Sequence, residues 1–206
     1  VVEACARHYG DDERVIGWQI DNEIGHEGSD RCVCDRCAAA WQAWLAARYG
    51  GTEAMNAEWG NVFWGTSYTR FDQVPVPRAQ AAAGFSPALL LAYDRFCSDS
   101  AAAFVDAQVK ILRAAIRPGI FITTNLVPPP MSNAIDLERL TRDMDSASWD
   151  NYPSWGDQDE PYPYVAQALA HSFIRGLSDE RGFTVMEEFA GIQGRSCLGY
   201  LPPERQ

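Results

Sequence analysis

Two short apolar runs in this sequence each end in a glutamate. The first is Val15-Ile16-Gly17-Trp18-Gln19-Ile20-Asp21-Asn22-Glu23, and the second is Phe183-Thr184-Val185-Met186-Glu187-Glu188. Runs of this kind predict buried strands. A carboxylate at the C-terminal end of such a strand is rigidly held at the mouth of a parallel barrel, where these folds place their chemistry. Two carboxylates brought together from distant strands are what glycosidic bond cleavage uses. One is kept protonated to assist the leaving oxygen and the other ionised to attack the anomeric carbon, about 5–5.5 Å apart when configuration is retained. Glu23 and Glu187 are therefore the candidate catalytic pair. Glu188 competes with Glu187, and because successive strand residues face opposite ways only one of them can serve. Asn22, beside Glu23, is a candidate to hold a substrate hydroxyl, although an Asn-Glu pair is also an ordinary helix-capping sequence.

A second cluster is Cys32, Cys34 and Cys37, spaced Cys-X-Cys-X2-Cys. Such crowding disfavours disulfides among the three and favours a tetrahedral Zn2+ held by thiolates. Redox thiols are the alternative reading. A fourth ligand is required, and Cys5 and His26 are the candidates within the chain. No water-activating His/Glu set accompanies the cysteines, so the expected zinc is structural. Thiolate-bound metal suits a reducing compartment, which predicts a cytoplasmic protein. Cys97 and Cys197 have no metal spacing. Asp145, Asp150 and the run Asp157-Gln158-Asp159-Glu160 lack the spaced ligands and turn glycine of a calcium loop.

The elements that must position these residues alternate between strand and helix. Strands are predicted over 15–22, 119–125, 146–152 and 183–188. The intervening helices run over 38–49, 52–59, 86–117, 134–144 and 164–177. Trp41, Trp44, Leu45 and Arg48 share one helical face, Thr52 is placed to cap the next helix, and Ser86-Pro87 reads as an N-cap with Pro at the first helical position. Residues 60–85 form a long aperiodic loop, and such loops in compact domains are usually functional. Strands alternating with helices imply βαβ units and a parallel sheet, here half of a (β/α)8 barrel. A doubly wound sheet is disfavoured, because Gly191-Ile192-Gln193-Gly194 lacks the spacing and following helix of a phosphate loop.

Composition narrows the class of function. The 206 residues are 47% apolar with formal net charge −11, and no window interleaves clustered cations with aromatics, which argues against a nucleic-acid partner. No apolar run reaches the ~18 residues of a membrane span, so no membrane partner is expected. Seven Trp are enough both for a core and for stacking on sugar rings. Val1 to Tyr9 read as the tail of a helix and the chain stops within a loop, so an internal fragment truncated at both ends is expected.

The run Ile16-Gly17-Trp18-Gln19-Ile20-Asp21-Asn22-Glu23-Ile24-Gly25 resembles the acid/base segment of glycoside hydrolase family 42 β-galactosidases. The likeness continues in order through Cys32-Val33-Cys34-Asp35-Arg36-Cys37, Glu58-Trp59-Gly60-Asn61-Val62-Phe63-Trp64, Thr123-Thr124-Asn125, Ser148-Trp149-Asp150-Asn151-Tyr152-Pro153 and Val185-Met186-Glu187-Glu188. The resemblance implies that residues 1–206 are one piece of a single catalytic TIM-barrel domain, about strands 4 to 7 with their helices. It implies retaining cleavage of terminal β-D-galactosyl linkages, with Glu23 as acid/base, Glu187 as nucleophile and Asn22 on the sugar 2-hydroxyl. Trp64 and Tyr152 would line the sugar site. It further implies a structural zinc on Cys32, Cys34 and Cys37 with its fourth ligand outside this chain, a galactoside or galacto-oligosaccharide substrate, and a homotrimer for the full-length protein. Ile24 departs from the Tyr of the family's Asn-Glu-Tyr-Gly, and Glu188 stands where many relatives carry Gln. Another retaining β-glycosidase of the same barrel clan, or a non-catalytic zinc-stabilised carbohydrate-binding module, are the rival readings.

Overall fold

The computed structural model describes residues 1–26, 28–78, 84–128, 134–151, 154–155, 163–178, 182–188, 191–194 and 197–200. Strand β1 (Gly17–Gln19) follows helix α1 (Val2–Tyr9) and pairs in parallel with β2 (Phe121–Thr123), Gly17 opposite Phe121. Gly17 has a specific reason to be glycine: the Phe121 ring occupies the space a Cβ would need. After Thr124 the chain re-enters the sheet as β3 (Asn125–Leu126), and the Thr124 hydroxyl donates to the Ile20 carbonyl at 2.6 Å. β3 pairs in parallel with β4 (Ala147–Asn151), and β4 with β6 (Phe183–Glu188). Parallel strands therefore follow one another in chain order with helices between them, the arrangement of part of a barrel. The expected α/β class holds.

There is one apolar core against the sheet and a second among the helices, and one helix serves both. The C-terminal half of α5 (Pro87–Ala115) packs Ala102, Val105, Val109 and Leu112 against Ile122, Leu126 and Trp149 of the sheet. Its N-terminal half packs Leu89, Tyr93 and Phe96 against Trp41 and Leu45 of α2 (Asp35–Tyr49) and Met55 of α3 (Thr52–Trp59). That double duty accounts for its 29-residue length. Each buried Val, Leu, Ile, Phe or Met among them contributes about 1.5–3 kcal/mol by leaving water. The expected start of α5 is also found, the Ser86 hydroxyl accepting from the Leu89 N–H at 3.2 Å.

Several boundaries differ from expectation for identifiable reasons. α2 begins at Asp35 rather than Ala38, because Cys34 takes the extended cap conformation and places Cys37 in the first turn. Thr52 is the first residue of α3 and Gly51 the cap, so the threonine caps nothing. Arg48 is exposed and lies over the Trp44 ring, 5.2 Å from its centroid. The loop over 60–85 contains α4 (Asn61–Trp64) and a 3-10 turn at Phe71–Gln73. The helix expected over 134–144 is the shorter α6 (Leu137–Thr141), capped by Asp136, whose carboxylate accepts from the Arg139 N–H at 3.0 Å. Gly191–Gly194 is a strand, β7, parallel to β5 (Ser154–Trp155) and antiparallel to β8 (Cys197–Tyr200). Helix α7 (Pro163–Leu177) lies against β4, with the Trp149 indole N–H donating to His171 Nδ1 at 3.3 Å. Among the described residues no helix is long and apolar enough to cross a membrane.

Candidate active site

Alternation along the strands separates two chemistries. Ile122, Leu126 and Trp149 face the apolar core, and Thr123, Asn125, Ser148 and Asp150 occupy the opposite, polar face. On that face the Thr123 and Ser148 hydroxyls are hydrogen-bonded to each other, and Thr123 also donates to the Ser146 carbonyl at 2.9 Å.

Just past β1 the backbone turns sharply. Asp21 (φ 57) and Glu23 (φ 44) are both in the left-handed region, one on either side of Asn22. For residues with a side chain this conformation costs of order ~1–3 kcal/mol each and persists only where the surroundings over-determine it. Those surroundings are polar. Asp21 accepts from the Asn22 N–H at 2.9 Å and from Gln108 of α5 at 3.4 Å. Asn125, 1% exposed, accepts through Oδ1 from the Glu23 N–H at 3.0 Å and from Gln19 Nε2 at 2.9 Å. Through Nδ2 it donates to Asn22 Oδ1 at 3.0 Å and to Asp150 Oδ2 at 2.7 Å.

The Glu23 carboxylate is partly exposed. Its Oε2 lies 3.3 Å from His26 Nδ1, and the His26 N–H donates back to the Glu23 carbonyl at 2.9 Å. A cleft of about 440 Å³ opens beside it, lined by Asn22, Glu23, Asp30, Cys97, Ser100 and Phe104 among others.

Glu187 is the penultimate residue of β6. A register shift between Trp149 and Asp150 makes Glu187 the backbone partner of Asp150, and Glu188 that of Asn151. Asn22 and Glu23, Asn125, Asp150 and Glu187 thus occupy the ends of successive strands. Trp64 stands apart: it is 70% exposed on α4, packs edge-on against Phe63 with ring centroids 4.9 Å apart, and does not line the cleft at Glu23. Tyr152 lies outside the described residues.

The three cysteines do come together. Their Sγ atoms lie within 4.8 Å of one another, with Cys32 and Cys34 exposed and Cys37 half-buried. The Cys37 backbone N–H, donating to Cys34, is the largest cause of a Cys34 pKa lowered to about 7, and the Cys32 and Cys37 thiols add to it. Cys37 is pushed up to about 12, chiefly by its hydrogen bond with Cys32 and then by burial. One thiolate therefore forms easily, and a second beside it is costly without a cation, so the donor set fits a soft divalent metal. Among the described residues neither Cys5 nor His26 joins the group. Helix α5 and its flanking loop hold this segment. Tyr93 donates to the Cys32 carbonyl at 2.6 Å, Arg31 forms a two-pronged pair with Asp94 at 2.7 and 2.9 Å, and Arg78 donates to the Val33 carbonyl at 3.2 Å. None of these anchors has a spacing signal in sequence. Asn125 has only its place at a strand end.

The family model described as Beta-galactosidase, glycoside hydrolase family 42, matches residues 1–198. Beta-galactosidase BgaA of Thermus sp is 41% identical over 204 residues, covering 93% of this chain and 31% of that protein. Beta-galactosidase Bga of Halorubrum lacusprofundi is 37% identical over 203 residues, covering 93% and 28%. The solved beta-galactosidase of H. lacusprofundi superposes with a TM-score of 0.85 at 33% identity, covering 98% of this chain and 31% of that one. A catalytic mutant of a GH42 beta-galactosidase from G. stearothermophilus gives a TM-score of 0.82 at 26% identity, covering 98% and 30%. The chain spans under a third of the length of these relatives.

Proposed function

The chain belongs to the glycoside hydrolase family 42 β-galactosidases, and on that premise we propose that it is the part of a retaining β-galactosidase barrel that carries strands 4 to 7 and both catalytic glutamates. In this reading Glu187 attacks the anomeric carbon while Glu23 protonates the departing oxygen. Glu23 then takes a proton from the water that releases galactose from the glycosyl-enzyme. Asn22 holds the sugar 2-hydroxyl, a contact that strengthens as the ring flattens toward the transition state. Tyr152 contributes to the sugar-binding wall, and Trp64, exposed on α4 outside the Glu23 cleft, to a more distant sugar subsite.

The observation that carries the proposal is the connection across the strand ends, hydrogen-bonded from Glu23 to Asp150 and by backbone register from Asp150 to Glu187. Glu23 is held by Asn125, Asn125 binds Asp150, and Asp150 is the register partner of Glu187. A binding module needs aromatic platforms but no such tie between two glutamate-bearing strands. Cys32, Cys34 and Cys37 would hold a structural zinc, with the fourth ligand supplied from outside this chain. When bound, the metal cross-links the loop after Glu23 and takes no part in bond cleavage. A single barrel domain extending beyond both ends of the chain, a cytoplasmic location and a homotrimeric assembly complete the proposal.

The test is hydrolysis of p-nitrophenyl β-D-galactoside by the full-length protein, with Glu23→Gln and Glu187→Gln beside it. Loss of turnover in both variants is expected. Full turnover in either would remove that glutamate from the mechanism. Activity on a glucoside or mannoside alone would keep the mechanism and replace the substrate.

A further inference from the structure

Resting on the reading of Glu23 as the general acid, we propose that Asn125 is a positioning residue that fixes both the acid and the amide of Asn22, and that Asp150 sets its orientation. A primary amide has two N–H donors and two acceptor lone pairs. All four are used here: Glu23 N–H and Gln19 Nε2 on the oxygen, Asn22 Oδ1 and Asp150 Oδ2 on the nitrogen. Two of these partners leave no freedom in how the amide is placed. The Glu23 N–H can only donate, and an ionised Asp150 can only accept, so the oxygen must face Glu23 and the nitrogen Asp150.

This arrangement has consequences for the reaction. The backbone of Glu23 is in a conformation that a glutamate rarely adopts (φ 44), and its N–H is satisfied by a side chain from a different strand. The location of the acid carboxylate is therefore set by β3 as much as by β1. Asn22 gives its Oδ1 to Asn125, which leaves its Nδ2 to donate to a sugar hydroxyl. Asn125 thus aims two groups at once from a buried site. Aspartate has the same shape but would place a second carboxylate against Asp150 and present no donor to Asn22.

The experiment compares kcat/KM on two substrates in the full-length protein. Methyl β-D-galactoside has a poor leaving group that needs the acid, and 2,4-dinitrophenyl β-D-galactoside has a good one that does not. For Asn125→Ala the expected loss on the methyl galactoside is about 100-fold, a size typical of misplaced catalytic groups. The loss on the dinitrophenyl substrate should be about tenfold smaller. Equal losses on the two substrates would reduce Asn125 to a general structural role and overturn the proposal.

A second comparison decides the matter even if the alanine variant does not fold. Asn125→Asp should lose activity in the same pattern, and Asn125→Asp combined with Asp150→Asn should recover part of it, because the 125–150 pair is complementary again with donor and acceptor exchanged while Asn22 still lacks its donor. Failure of the double variant to improve on Asn125→Asp would contradict the assigned orientation. The underlying assignment fails separately: Glu23→Gln retaining turnover on the methyl galactoside would remove Glu23 as the acid. An inactive Glu23→Gln beside a fully active Asn125→Ala would overturn the positioning role alone.

Discussion

The Tyr93 hydroxyl donates to the Cys32 carbonyl at 2.6 Å, so helix α5 holds the cysteine loop directly. Burial pushes the Tyr93 phenol above its ordinary pKa, and it stays a protonated donor throughout the working pH range. The same helix packs against the sheet from which the chain leads into Glu23, and the cysteine loop and the candidate acid therefore share one support.

Tyr93→Phe removes that hydrogen bond and leaves the ring in its core. A neutral hydrogen bond of this kind contributes about 0.5–1.5 kcal/mol. The expected result is faster release of zinc to a chromogenic chelator with little change in the thermal midpoint. Unchanged release kinetics would show that the Tyr93 hydrogen bond does not support the cysteine loop, leaving the Arg31–Asp94 pair as the anchor from α5.

The metal-free protein should be alkylated by iodoacetamide first at Cys34. The folded state lowers the Cys34 pKa to about 7 by hydrogen bonds to the thiolate, so reactivity is present above that pH and is lost as the pH falls through it. Burial raises Cys97 to about 11, and it should stay unlabelled at pH 8. Peptide mapping of the labelled sites checks the order. Preferential labelling of Cys97, or labelling of Cys34 unaffected by added zinc, would contradict this account of the cluster.

Trp41 is fully buried and stacks with Trp44 at 5.4 Å, packing edge-on against Tyr93 at 5.1 Å. Trp41→Ala is expected to cost about 3–5 kcal/mol, the range for emptying a large aromatic site. Denaturant unfolding of the full-length protein measures it. A cost below ~1 kcal/mol would mean that the α2, α3 and α5 core collapses around the gap or contributes little.

Much of the scaffold was legible because its signals are local. Ser86-Pro87 announces α5, and the run Phe183–Glu188 is recovered as β6 with the same bounds. The glutamates at strand ends were legible for the same reason. The rest depended on distant partners. The break at Thr124 follows from its hydroxyl reaching the Ile20 carbonyl just past β1, and the pairing of β5, β7 and β8 joins segments too short to carry a period. Asn125 is a single polar residue after an apolar strand. Its four contacts come from Gln19, Asn22, Glu23 and Asp150, none of which a local pattern can anticipate. Trp64, which the resemblance assigns to the sugar site, is exposed on α4 and does not line the Glu23 cleft.

The most direct test of the two assigned roles is azide rescue of the full-length protein, with the product's anomeric configuration read by NMR. In Glu187→Gly, azide takes the nucleophile's place and displaces the leaving group once, so an activated β-galactoside should give α-galactosyl azide. In Glu23→Ala the glycosyl-enzyme still forms on Glu187, and azide attacking it should give β-galactosyl azide. The opposite pairing of product with variant would exchange the two roles, and an unrescued, fully active Glu187→Gly would contradict the account at its centre.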